Sequence, residues 1–187
     1  MTHPFMEAIA VGLSDVGIAT LRFQFPYMQR RSRRPDPPAL CHATIRAAVA
    51  EAARTAGDLP LIAGGRSFGG RMSSQAQAAS PLPGVVGLAF LGFPLHPAGR
   101  PSDERAQHLF QTRVPLLFLQ GDRDELADLT LLRSVVERLG SRATLKLVAG
   151  ADHSYRVPAK TGRKAPQVQA ELIQALHDWI AALLAGA

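Results

Sequence analysis

Cysteine occurs once in the 187 residues, as Cys41, so no internal disulfide can form and a reducing compartment, the cytoplasm, is the expected setting. No apolar run reaches the length of a membrane-crossing helix, and the opening Met-Thr-His-Pro-Phe-Met-Glu lacks the pattern of a signal peptide, so no membrane partner is expected. The histidines show no metal-ligand spacing and no cysteine cluster accompanies them, which argues against a metal centre. Residues 64–70 are glycine-rich but lack the Lys-Ser/Thr of a phosphate loop, and no dinucleotide fingerprint occurs, so no cofactor is expected. There are no internal repeats and no linker, and a single domain over residues 1–187 is the expectation.

Charge of one sign is in modest excess, +6 overall. The basic residues are scattered except for Arg30, Arg31, Arg33 and Arg34, which sit among Pro35, Pro37 and Pro38 and read as a solvated loop. Without an aromatic-interleaved basic surface or a helix-turn-helix pattern, nucleic acid is not an expected partner.

What is present is a repeated alternation of short apolar runs with amphipathic ones. Helices are predicted over 4–15 (Phe5, Ile9 and Leu13 on one face), from about 39 to 56 (Leu40, Ile45, Val49), from about 72 to 79, over 126–139 and over 166–185. A weaker one spans 102–111. Strands are predicted over 18–25, 61–63, 85–93, 114–120 and 143–148, with a basic, proline-rich loop over 28–38. Apolar strands alternating with helices imply a mostly parallel sheet covered by helices on both faces, a three-layer α/β fold. Ligands of such sheets bind at the carboxyl ends of the strands.

Residues 59–73 organise the rest. After the apolar run Leu61-Ile62-Ala63 comes Gly65-Arg66-Ser67-Phe68-Gly69, and an Ala-rich helical stretch follows. Strand, glycine-flanked serine and helix are the context of a nucleophile elbow, in which a sharp turn lifts the Ser67 hydroxyl clear of the sheet. On this reading Gly65 and Gly69 remove Cβ atoms that would collide across the turn.

Two further loops follow predicted strands: Gln120-Gly121-Asp122-Arg123-Asp124-Glu125 and Gly150-Ala151-Asp152-His153-Ser154-Tyr155. With Ser67 they give the chain order serine, acid, histidine. A serine hydroxyl needs a base to take its proton as it attacks a carbonyl; His153 is the candidate, so activity is expected to rise with pH as the imidazole deprotonates. An acid must hold the other ring nitrogen, and Asp122 and Asp124 compete for that place. Asp124 is favoured because it lies beyond the glycine bend, where it can reach the neighbouring loop. Asp152 is expected to fix its own loop, and His96 is expected to serve a loop. The bland alternatives are a capping Ser67 in a glycine turn, a surface His153, and Asp124 as a helix cap.

Residues 21–28 (Leu-Arg-Phe-Gln-Phe-Pro-Tyr-Met), 64–72 (Gly-Gly-Arg-Ser-Phe-Gly-Gly-Arg-Met), 93–97 (Phe-Pro-Leu-His-Pro), 120–124 and 152–154 together resemble the dienelactone-hydrolase-like branch of the α/β-hydrolases. The resemblance implies a Ser67–Asp124–His153 triad, hydrolysis of an ester, lactone or thioester of a small acyl substrate, and an oxyanion donor at Phe68 N–H. In such proteins a strand and a His-Gly-rich loop precede the first helix, and this sequence begins where that loop would end. The expectation is an N-terminally truncated fold, started at an internal Met of a longer protein. The missing strand would lie between 18–25 and 61–63, leaving the sheet less stable. The missing loop would take the second oxyanion donor with it, a loss of about 2.7–4 kcal/mol of transition-state stabilisation. A non-catalytic interaction protein with a vestigial site is the competing reading.

Overall fold

The computed structural model describes residues 3–186. Helix α1 (Pro4–Asp15) opens with proline in its first turn, where the missing N–H costs nothing, and buries Ile9 and Leu13. After the four-residue α2 (Pro26–Gln29), α3 (Pro38–Ala56) buries Cys41, Ile45 and Val49. The sheet then builds in chain order: β1 (Leu61–Arg66), β2 (Val85–Leu91), β3 (Leu116–Gly121) and β4 (Ala143–Val148). Between these strands lie α4 (Phe68–Ala79), a 3-10 helix (Glu104–Gln111) and α5 (Leu129–Leu139), and α6 (Ala165–Ala185) closes the chain.

All three strand pairs are parallel, in the spatial order β1-β2-β3-β4. Two cores cover the two faces. Side chains of α3, α4, α5 and the 3-10 helix pack with Leu88, Phe90, Leu116 and Phe118 on one side. On the other, α1 and α6 pack with Ala89, Leu91, Leu117 and Leu119. Successive strand residues point to opposite faces, so β2 and β3, apolar at nearly every position, feed both cores at once. Helix–sheet–helix layering of an all-parallel sheet is the three-layer α/β architecture that the alternation predicts.

One predicted strand is absent. Residues 18–25 form no regular element, although their alternation and β-branched content suit a strand. Ile18 packs at the α1/α6 core whereas Phe25 is buried in the opposite one, so the segment passes from one face of the sheet to the other. Period-two patterning favours extended backbone, but a strand also needs a hydrogen-bonded neighbour, and among the described residues β1 pairs with β2 alone. The loop predicted over 28–38 starts as α2, because Pro26 initiates a helical turn where the sequence reading has it only stopping a strand. In the first turn of α3 Cys41 takes the buried place expected of Leu40, which is 41% exposed and faces water.

Candidate active site

The register sets the carboxyl ends of the strands side by side: Arg66 opposite Leu91, and Gly121 opposite Val148. The residues that follow each strand therefore share one edge. Ser67, between β1 and α4, has φ 50° and ψ −118°, a left-handed conformation that a residue with a Cβ adopts only under strain. It is held by Ser67 N–H donating to Leu91 O at 3.0 Å and by Arg71 N–H closing the first turn of α4 on Ser67 O at 3.1 Å.

The glycines around this turn divide differently from the expectation. A Cβ on Gly64 would stand 1.9 Å from Ala89 O, and one on Gly70 would stand 2.7 Å from Gly65 O. A Cβ on Gly69 would meet nothing within 4 Å. Gly65 has φ +147°, so its requirement is conformational. The close packing rests on the outer glycines of the run, because β1 presses on β2 there and α4 folds back over the end of β1.

Ser67, His153 and Asp124 form one connected line. Ser67 Oγ lies 2.8 Å from His153 Nε2, and His153 Nδ1 lies 2.7 Å from Asp124 Oδ2. Facing a carboxylate that can only accept, Nδ1 carries the ring hydrogen, which leaves the Nε2 lone pair toward the Ser67 hydroxyl. The Asp124 side chain is 0% exposed and that of His153 19% exposed. The carboxylate is thus sealed beneath the ring while the ring borders solvent.

Asp124 is further fixed by two donors. Leu126 N–H reaches Oδ1 at 2.8 Å, and the buried amide of Gln120 donates to Oδ2 at 2.5 Å. The Gln120 amide oxygen in turn accepts Phe93 N–H at 2.9 Å. Asp122 points elsewhere: its Oδ1 accepts Gly150 N–H at 2.7 Å. Asp152 Oδ1 accepts the N–H groups of Ser154 and Arg156 at 2.7 and 2.9 Å, tying its own loop. Buried His96 accepts Asp128 N–H at 2.8 Å through Nε2, and its Nδ1 lies 2.8 Å from Pro97 O, which fastens two loops together. The cap of α5 is Asp128, which accepts Leu131 N–H at 3.0 Å.

Three residues with a part in this arrangement were not singled out from the sequence. Gln120 signals itself only as a lone amide ending an apolar run. Tyr155 has φ 59°, donates its hydroxyl to Leu119 O at 2.7 Å and stacks on Phe5 at 5.3 Å, anchoring the turn that carries His153. Burial pushes its phenol far above the ordinary range. Arg66 reaches back from Ser67: its guanidinium donates to Ser154 Oγ at 3.1 Å, meets His3 Nε2 at 3.0 Å and lies 5.4 Å from the Phe5 ring centroid. No local pattern foretells the contacts of Tyr155 and Arg66, since their partners are distant in sequence.

Chemically, a serine hydroxyl backed by an imidazole, itself backed by a buried carboxylate, can attack a carbonyl carbon and return the proton to the leaving group. The first N–H groups of α4, beginning with Phe68, have no intrahelical acceptor and stand beside Ser67, where a developing oxyanion would need donors. Among the described residues, no three His, Cys, Asp or Glu side chains gather as a metal site requires, and no helix is long and apolar enough to cross a membrane.

Comparison with solved structures finds the same fold at low sequence identity. An α/β serine hydrolase homologue from Coxiella burnetii shares 22% identity at a TM-score of 0.70, with 94% of this chain and 76% of that one covered. An α/β serine hydrolase without a lid from Xanthomonas campestris shares 23% at a TM-score of 0.71, with 96% and 75% covered. The esterase domain of a Rhodothermus marinus protein shares 17% at 0.66, with 94% and 79% covered. The family model described as the alpha/beta hydrolase domain matches residues 1–181, and the chain belongs to that family.

Proposed function

We propose that the chain is a single-domain, cytoplasmic, cofactor-independent serine hydrolase that cleaves a small ester, lactone or thioester through an acyl-enzyme. Ser67 attacks the carbonyl carbon. His153 takes the hydroxyl proton at Nε2 and gives it to the leaving alkoxide or thiolate, then activates the water that releases the acid. Asp124 holds the His153 tautomer and stabilises the imidazolium, and Phe68 N–H donates to the oxyanion at the N-terminus of α4, where the positive end of the helix dipole attracts the negative charge. The turn at Ser67 acts as a nucleophile elbow.

The observation that carries this reading is the unbroken Ser67–His153–Asp124 line, at 2.8 and 2.7 Å, on the carboxyl edge of a parallel sheet. Membership of the α/β-hydrolase domain family supports it, as do the motifs resembling the dienelactone-hydrolase-like branch. The test is intact-mass analysis after treatment with a fluorophosphonate probe, beside Ser67→Ala. A single adduct on the wild type that the variant lacks is the expected result. An unlabelled, folded wild type would overturn the assignment and favour an interaction protein that keeps the fold without the chemistry.

A further inference from the structure

Charge is unevenly divided between the two helical layers. The chain carries 21 Lys and Arg against 15 Asp and Glu, yet α1 and α6, which cover one face of the sheet, contain no Arg or Lys. Their carboxylates are Glu7, Asp15, Glu171 and Asp178. Glu171 is taken by Arg163, and Asp178 by His177 at 3.1 Å and by the Gln174 amide at 2.7 Å. Among the described residues, neither Glu7 nor Asp15 has a cation partner. Asp15 also ends α1, where the helix dipole is negative and no basic residue occupies the last turn, so its own helix opposes its charge.

Both carboxylates border a groove between α1 and α6 that encloses about 510 Å³. The groove is shallow and smooth because small residues line it. A Cβ on Gly12 would stand 2.1 Å from Ile173 Cδ1, so the helices meet there with no side chain of α1 between them, and Ala8 and Ala170 continue the lining. Glu7, Val11 and Asp15 follow one another at four-residue spacing as a ridge of α1 beside it. Glu7 and Asp15 are therefore about 12 Å apart along the helix axis, with Val11 midway. That valine is 58% exposed.

A low groove between two helices takes a third helix, whose ridge of side chains fits where small residues allow close approach. An apolar side chain of that helix would cover Val11 and Ile173, and cations two turns apart would reach Glu7 and Asp15. The carboxylates repel nucleic acid, and a second copy presenting the same face would bring like charge against them. We propose that the α1/α6 groove docks a basic amphipathic helix of a partner protein, with cations seven or eight residues apart and an apolar residue between them. The proposal does not depend on the chemistry at Ser67.

The probe is a fluorescein-labelled, alanine-rich helical peptide of about 16 residues, carrying two lysines eight residues apart with leucine between. Fluorescence anisotropy is expected to show saturable binding to the wild type below about 1 mM. Glu7→Gln with Asp15→Asn should weaken it by about three- to tenfold, the range of two exposed ion pairs, and Val11→Lys should abolish it. These positions are exposed, so thermal melts of the variants should match the wild type. No saturation, equal binding in the double variant, or equal binding of a peptide with the same residues in scrambled order overturns the proposal. Sedimentation equilibrium is run alongside. A wild-type dimer that Val11→Lys dissolves would give the groove to a second copy and likewise overturn it.

Discussion

Gln120 donates its side-chain amide to Asp124 Oδ2, the same oxygen that faces His153 Nδ1. The amide is wholly buried and its own oxygen is engaged by Phe93 N–H, so it cannot rotate without breaking a second bond. It therefore sets the rotamer of Asp124 and, through it, the plane of the His153 ring.

Replacing Gln120 by Leu keeps bulk and removes both bonds. The expected result is a fall in kcat of about ten- to a hundredfold with KM nearly unchanged, because the acid loses its orientation while the substrate contacts remain. Stability should drop by about 1–3 kcal/mol from the orphaned Phe93 N–H. Steady-state kinetics and urea denaturation separate the two effects. A change confined to KM would reject the positioning role.

The two aspartates of the loop after β3 make a paired test. Asp124→Asn should lower kcat by roughly 10,000-fold, since an amide can hold the wrong tautomer of His153. Asp122→Asn still offers an oxygen to Gly150 N–H, so kcat should stay within severalfold and stability should fall by about 0.5–1 kcal/mol. The reverse ranking would transfer the acid role to Asp122.

His108 gives the fold a pH dependence of known sign. Burial, with Arg71 and His42 nearby, depresses its pKa from 6.5 to about 4, so between those values the unfolded chain binds a proton that the folded chain refuses. This contribution to stability is complete above pH 6.5 and is lost as pH falls toward 4. Denaturant titrations should show weakening on the order of 2 kcal/mol over this window. His108→Gln should flatten the slope; an unchanged slope would place the titrating group elsewhere.

Substitutions in the glycine run should rank by what each new Cβ meets. Gly64→Ala forces a Cβ onto Ala89 O and should cost more than about 3 kcal/mol. Gly70→Ala, against Gly65 O, should also destabilise. Gly69→Ala meets open space within a helix and should be neutral or stabilising by about 0.5–1 kcal/mol. Thermal melts of the three variants decide the order, and a destabilising Gly69→Ala would restore the inner glycine as the packed one.

The sequence by itself determined the elements whose evidence is local. An apolar run of seven residues such as 85–91, bounded by turn residues and too short for an ordinary helix, reads as a strand covered on both faces. Likewise the four-residue spacing of Val168, Leu172 and Leu176 dictates one buried face of α6. The candidate residues Ser67, Asp124 and His153 were legible because the chemistry needs those types, each just past a strand.

Tertiary structure decided whatever depends on a partner distant in the chain. Residues 18–25 carry a strand's alternation but end in opposite cores, and no periodicity discloses that. Asp122 and Asp124 are nearly equivalent in sequence; the parallel register of β3 and β4 brings one to a backbone N–H and the other to an imidazole. The hold of Phe93 N–H on Gln120 and that of Leu119 O on Tyr155 come from other parts of the chain. Side-chain periodicity is a property of a few consecutive residues, whereas hydrogen bonds and charge compensation belong to the assembled sheet edge, where the loops meet.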